Sequence, residues 1–94
     1  MPDYSNLSII VDTAITESYS YTATEDGWLH VNVQSTNSAA GQLAVTINNT
    51  YTFVLCTPVG YLQQSQILLV KKGDTVHCGL SSGLIRNIIF IPCI

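Results

Sequence analysis

The sequence predicts an all-β domain, an antiparallel β-sandwich or jelly roll of about eight strands. Three observations predict it. Apolar and polar residues alternate with a period of two through segment after segment, the signature of half-buried strands. Turn-forming residues separate those segments at roughly 8–12-residue spacing, as in sandwiches, jelly rolls and barrels. No stretch of useful length carries a helical period.

The segments follow in order. Residues 7–11 form a short run rich in β-branched side chains. Residues 17–23 set Tyr19, Tyr21 and Ala23 against Ser18, Ser20 and Thr22. Residues 28–34 set Leu29, Val31 and Val33 against a polar side holding His30, Asn32 and Gln34, with Trp28 on that side. Residues 42–48 alternate Leu43, Val45 and Ile47 with Gln42, Ala44, Thr46 and Asn48. Residues 51–56 begin with Tyr51, Phe53 and Leu55 on one side and then become apolar on both. Residues 66–70 are short and apolar, residues 75–80 alternate Val76, Cys78 and Leu80 with Thr75 and His77, and residues 84–91 end in Ile88, Ile89, Phe90 and Ile91. Between them, Glu25-Asp26-Gly27, the stretch 71–74 and Ser81-Ser82-Gly83 read as turns. Asn48-Asn49 reads as a two-residue hairpin connection, because Asn tolerates positive φ. No linker and no convincing repeat divides residues 1–94, which read as one domain.

Two segments, 53–56 and 88–91, are apolar on both faces. A small sandwich standing alone should keep one face of each strand wet. Covering by a partner subunit is therefore expected, most simply in a closed homo-oligomer, with Phe53, Leu55, Ile89, Ile91, Tyr19 and Tyr21 as the candidate interface. Only 10% of residues are charged, with a net charge of −3, against about 25% charged in an average domain. Ser, Thr, Asn and Gln, 30 of 94 residues, supply the polar surface instead.

Composition and spacing exclude several chemistries. Three Lys+Arg are too few to neutralise a nucleic-acid backbone. No apolar run exceeds four residues, so no membrane-spanning helix is expected, and no secretory leader is visible. Cys56, Cys78 and Cys93 are odd in number, lack metal-ligand spacing and read as free, buried thiols of a reducing compartment; no metal or cofactor is expected. There is no nucleophile-elbow motif. Three of the six acids fall in turns rather than as a pair on a cleft. The chain is expected not to be an enzyme.

Recognition by a rigid sandwich falls to the loops at its ends, here 35–41, 57–64 and 81–87. Within the second, Tyr61 beside Gln63 and Gln64 could stack on a sugar and bond its hydroxyls. Trp28 and His30 form a second candidate contact.

The segment Tyr21-Thr22-Ala23-Thr24-Glu25-Asp26-Gly27-Trp28-Leu29 resembles a "Y-t-a-p-x-D-G-[WY]-[LIV]" motif of bacteriophage fibre-tip domains. Val70-Lys71-Lys72-Gly73-Asp74-Thr75-Val76 resembles their "V-k-K-G-D-x-V" segment, and Ile88-Ile89-Phe90-Ile91-Pro92-Cys93 their terminal "I-x-F-x-P" strand. The resemblance runs from about Tyr19 to Cys93. It implies the trimeric jelly-roll head of phage tail fibres, head fibres and related virion proteins, similar in plan to the C1q and tumour-necrosis-factor group. The motif residues are mostly architectural: Gly27 and Gly73 are expected in turns at positive φ, with Asp26 and Asp74 bonding nearby amides. What the resemblance implies is a homotrimer on the virion that attaches to a host-surface glycan or protein, or to capsid or tail proteins. The alternatives are a purely structural trimerisation domain and a small lectin-like or jelly-roll enzyme.

Overall fold

The computed structural model describes residues 2–93, all but the side chain of Tyr51. Eight strands form, one for each expected segment: β1 (Ser8–Val11), β2 (Tyr19–Thr22), β3 (Gly27–Gln34), β4 (Gly41–Ile47), β5 (Thr50–Thr57), β6 (Gln63–Val70), β7 (Thr75–Ser82) and β8 (Leu84–Pro92), preceded by a 3-10 turn at Tyr4–Asn6. Two antiparallel four-stranded sheets face each other. Sheet one has the order β1-β8-β3-β6 and sheet two the order β2-β7-β4-β5. Strands β1 and β8, β2 and β7, β3 and β6, and β4 and β5 pair in turn. The chain is thus one long antiparallel ribbon, rolled so that its pairs alternate between the sheets, which is the winding of a jelly roll.

The alternation read from sequence fills the space between the sheets. Leu29, Val31 and Val33 of β3, Ile85, Ile88 and Phe90 of β8, and Leu68 and Val70 of β6 point inward from sheet one. Leu43 and Val45 of β4, Leu55 of β5, and Val76 and Cys78 of β7 meet them from sheet two. A tilted contact between the Tyr21 and Phe90 rings, centroids 5.9 Å apart, bridges the sheets.

Asn48 and Asn49 close the β4–β5 hairpin at φ 51° and 65°. Both central residues in the left-handed region match the twist of the flanking strands. Gly73 sits at φ 93°, as expected of a turn glycine. Gly27 does not: it is the first residue of β3 and carries no positive φ. It is small because a Cβ there would strike the Ile91 carbonyl oxygen and come within 2.7 Å of the Phe90 ring.

Four interface candidates are already occupied within one chain. Leu55 is buried in the core, and Phe53, Tyr19 and Tyr21 pack against it. The outward residues of the 53–56 run are instead Val54 and Cys56, both exposed. Of the three free cysteines, only Cys78 is a buried thiol; Cys56 faces outward from β5, and Cys93, just past the end of β8, is exposed as well.

Candidate functional site

Two of the three expected binding loops form and meet at one end of the sandwich; the third, 81–87, is strand except for the single turn residue Gly83 between β7 and β8. The β3–β4 connection, the β5–β6 connection and the β7–β8 turn all leave from the edge where Gln34 pairs with Gln63 and Leu84, and Gly41 with Thr57. The β3–β4 and β5–β6 connections are braced together. Buried Ser35 donates its amide to the Leu62 carbonyl at 2.9 Å, while its hydroxyl accepts from the Leu62 amide at 2.9 Å. The Gly60 amide donates to the Thr36 carbonyl at 2.8 Å. The Thr36 hydroxyl accepts from the amide of Ala39 at 2.9 Å, and the Thr57 hydroxyl from that of Gly41 at 3.2 Å.

Tyr61 stands on this braced platform, 61% exposed. Its φ is 61°, an unusual conformation for a bulky side chain. Such a conformation costs of order 1–3 kcal/mol and persists only where the surroundings impose it. Here the bonds at Gly60 and Leu62, one on each side, impose it. Val59 and Leu62 are exposed on the same loop, so the tip presents an aromatic ring between two aliphatic side chains. Sequence reasoning found the ring but not its two neighbours, although Val59 and Leu62 stand out as apolar residues inside a turn.

Gln63 and Gln64 do not join Tyr61. They open β6, and both side chains are engaged: Gln63 Oε1 accepts from Asn32 Nδ2 at 2.7 Å, and Gln64 Oε1 from the Cys56 amide at 2.9 Å. Trp28 and His30 do not join it either. They lie on the outer face of sheet one, in the half of β3 far from the loops.

That outer face is not the polar surface expected from the alternation. His30 pairs with Ile89 on one side and Ile67 on the other, Trp28 with Ile91 and Leu69, and Ile89 in turn with Ile9. Ile9, Ile67 and Leu69 are exposed, Ile91 is 7% exposed beside Trp28, and Ile89 is half-buried. The missed signal was residues 67–70, a third run apolar on both faces. Next in the row, Asn32 and Asn87 face each other across β3 and β8, and each has a buried amide oxygen without a hydrogen-bond partner.

The outer face of sheet two is polar. Ser20, Thr22, Thr46, Thr75 and His77 lie on it, with Ser20 Oγ 2.7 Å from His77 Nδ1. Among the described residues, no group of three His, Cys, Asp or Glu converges as a metal site. Among the described residues, no helix is long and apolar enough to cross a membrane.

No protein-family model and no curated protein sequence matches the chain. Solved structures do. One is a family 35 carbohydrate binding module from an environmental isolate, with a TM-score of 0.53 and 14% identity over 89% of this chain and 74% of that one. The fold is the β-sandwich that such modules share.

The turns named by the motif resemblance lie at the opposite end. The Asp26 carboxylate accepts from the Lys72 amide and that of Asp74 from the Lys71 amide, each at 2.8 Å. The latter bond, followed by one from the Asn48 side chain, holds the Asp74 carboxyl below the usual range. Asp26 and Asp74 are thus structural, as the sequence suggested, although Asp26 reaches across to another turn rather than to its neighbour.

Proposed function

We propose that this chain is a non-enzymatic glycan-binding β-sandwich whose contact site is the Tyr61 loop. The observation that carries the reading is an exposed tyrosine held at positive φ on a loop cross-braced to its neighbour. An aromatic ring presented this rigidly loses little freedom on binding, and its face can stack on the apolar face of a sugar. The likeness to a carbohydrate binding module supports the same class of ligand. Tyr61→Ala should weaken binding to a glycan array, or to host cells, by about tenfold or more, one strong contact in free energy. Unchanged binding would remove the Tyr61 loop as the site.

A second element of the proposal is self-association through the outer face of sheet one. What supports it is the charge-poor row of Ile9, Ile89, His30, Ile67, Trp28 and Leu69, a contiguous apolar strip of the kind that marks interaction surfaces. Ile89 keeps its place in that proposal; Phe53, Leu55, Tyr19 and Tyr21, which pack in or against the core, and Ile91, already buried beside Trp28, do not. The motif resemblance favours a trimer on a phage particle, where three weak sites on one head would act together. Oligomerisation without any glycan binding would favour a purely structural assembly domain.

A further inference from the structure

A depression lies on the outer face of sheet two, far from Tyr61, and we infer that it binds a neutral, polyhydroxylated small molecule the size of a monosaccharide. Thr46 on β4, Asn48 and Asn49 in the hairpin turn, and Thr75 and His77 on β7 line an open depression of about 310 Å³, the lower end of the range for small-molecule pockets.

Its walls are preorganised. Asn48 is fixed three ways: its amide donates to the Thr75 carbonyl at 2.8 Å, its Oδ1 accepts from the Thr75 amide at 2.9 Å, and its Nδ2 donates to Asp74 Oδ1 at 3.0 Å. The His77 ring is held by Ser20 at Nδ1 and lies over Gly79, which has no side chain to displace it. Unspent groups then line the space. Among the described residues, the Thr46 hydroxyl, the Asn49 amide and His77 Nε2 have no side-chain partner, and the Thr75 hydroxyl has only a long 3.5 Å contact with Thr22.

This set selects the ligand class. Hydroxyls, an amide and an imidazole both donate and accept, as sugar hydroxyls do. The lining holds no Asp, Glu, Lys or Arg, so a strongly charged ligand finds no fixed counter-charge there. The lining is too polar for an apolar guest.

The test is a titration of the isotope-labelled protein with glucose, galactose, mannose and N-acetylglucosamine, followed by amide and imidazole NMR shifts. Saturable shifts at Thr46, Asn49, Thr75 and His77 with at least one sugar are expected. The double variant Thr46→Val with Asn49→Gly should weaken them by about tenfold while keeping the fold, since valine matches threonine in shape and glycine accepts the turn's positive φ. Tyr61→Ala should leave them intact, so this depression and the Tyr61 loop fail separately. No saturable shift at these four residues with any of the sugars, or shifts that survive the double variant, would overturn the inference.

Discussion

Asp26-Gly27 and Gly73-Asp74 read alike as turn dipeptides, yet their glycines answer different demands. Gly73 supplies a φ of 93°, which sequence can suggest because Gly is the residue for which that region is free. Gly27 makes room for Phe90 and the Ile91 backbone, partners more than sixty residues away that no local pattern reveals. Gly27→Ala should therefore cost at least as much as typical overpacking, about 1–3 kcal/mol, measurable by urea denaturation; a neutral result would mean that β8 yields freely. The cysteines divide in the same way. Cys56 and Cys93 should react with a thiol reagent in the native protein and Cys78 only on unfolding. Burial pushes the Cys78 thiol up from 9.0 to about 11. The unfolded chain ionises that thiol first, so its contribution to stability is complete below pH 9 and is lost as pH rises through about 11, a loss of roughly 3 kcal/mol. Cys78→Val should flatten that part of the pH–stability profile.

At the level of strands, each element was legible because most inward residues follow a period of two and the ends carry turn chemistry; the bulge that puts Ile85 and Ile88 three apart on the same inward face of β8 was not. The boundaries that moved are instructive. Strand β6 starts at Gln63 rather than Gln66, since Gln63, Gln64 and Ser65 have no strand-like pattern of their own and are extended by pairing with Gln34, Val33 and Asn32. Pairing with a distant strand overrides weak local preference. The same shift removed Gln63 and Gln64 from the candidate site. The β4–β5 hairpin was readable from Asn48-Asn49, but the bonds tying Asn48 to Thr75 and Asp74 were not. Asn48→Gly keeps the turn geometry and deletes those side-chain bonds, so it should cost about 1–2 kcal/mol, while Asn49→Gly should be neutral or slightly stabilising. Equal effects at the two positions would show that the ties contribute nothing.

For the whole molecule, sequence pointed to an excess of apolar strand surface but misplaced it. Sheet one carries an apolar outer face, but its members Ile67 and Leu69 were not counted, and Phe53 and Leu55 turned inward. Light scattering should give about three times the 10.2 kDa chain mass, and Ile67→Lys combined with Leu69→Lys should reduce it to one. A wild-type monomer would sink the self-association reading. The Tyr61 platform was half legible: the ring could be named from sequence, whereas its exposure depends on the bonds Ser35 and Thr36 make across to a loop some 25 residues later.

The rolled ribbon has one more consequence. Pairing β1 with β8 brings the chain ends together, with Pro2 bridged to Cys93 and the Asp3 amide donating to the Pro92 carbonyl at 2.8 Å, at the end opposite Tyr61. The ends could be joined by a short link and the chain reopened at exposed Asn37-Ser38, giving a circular permutant with the same core. Pro2 and Cys93 thus lie at the end of the sandwich opposite the Tyr61 loop, so a domain held to a surface at that end would point the Tyr61 loop outward.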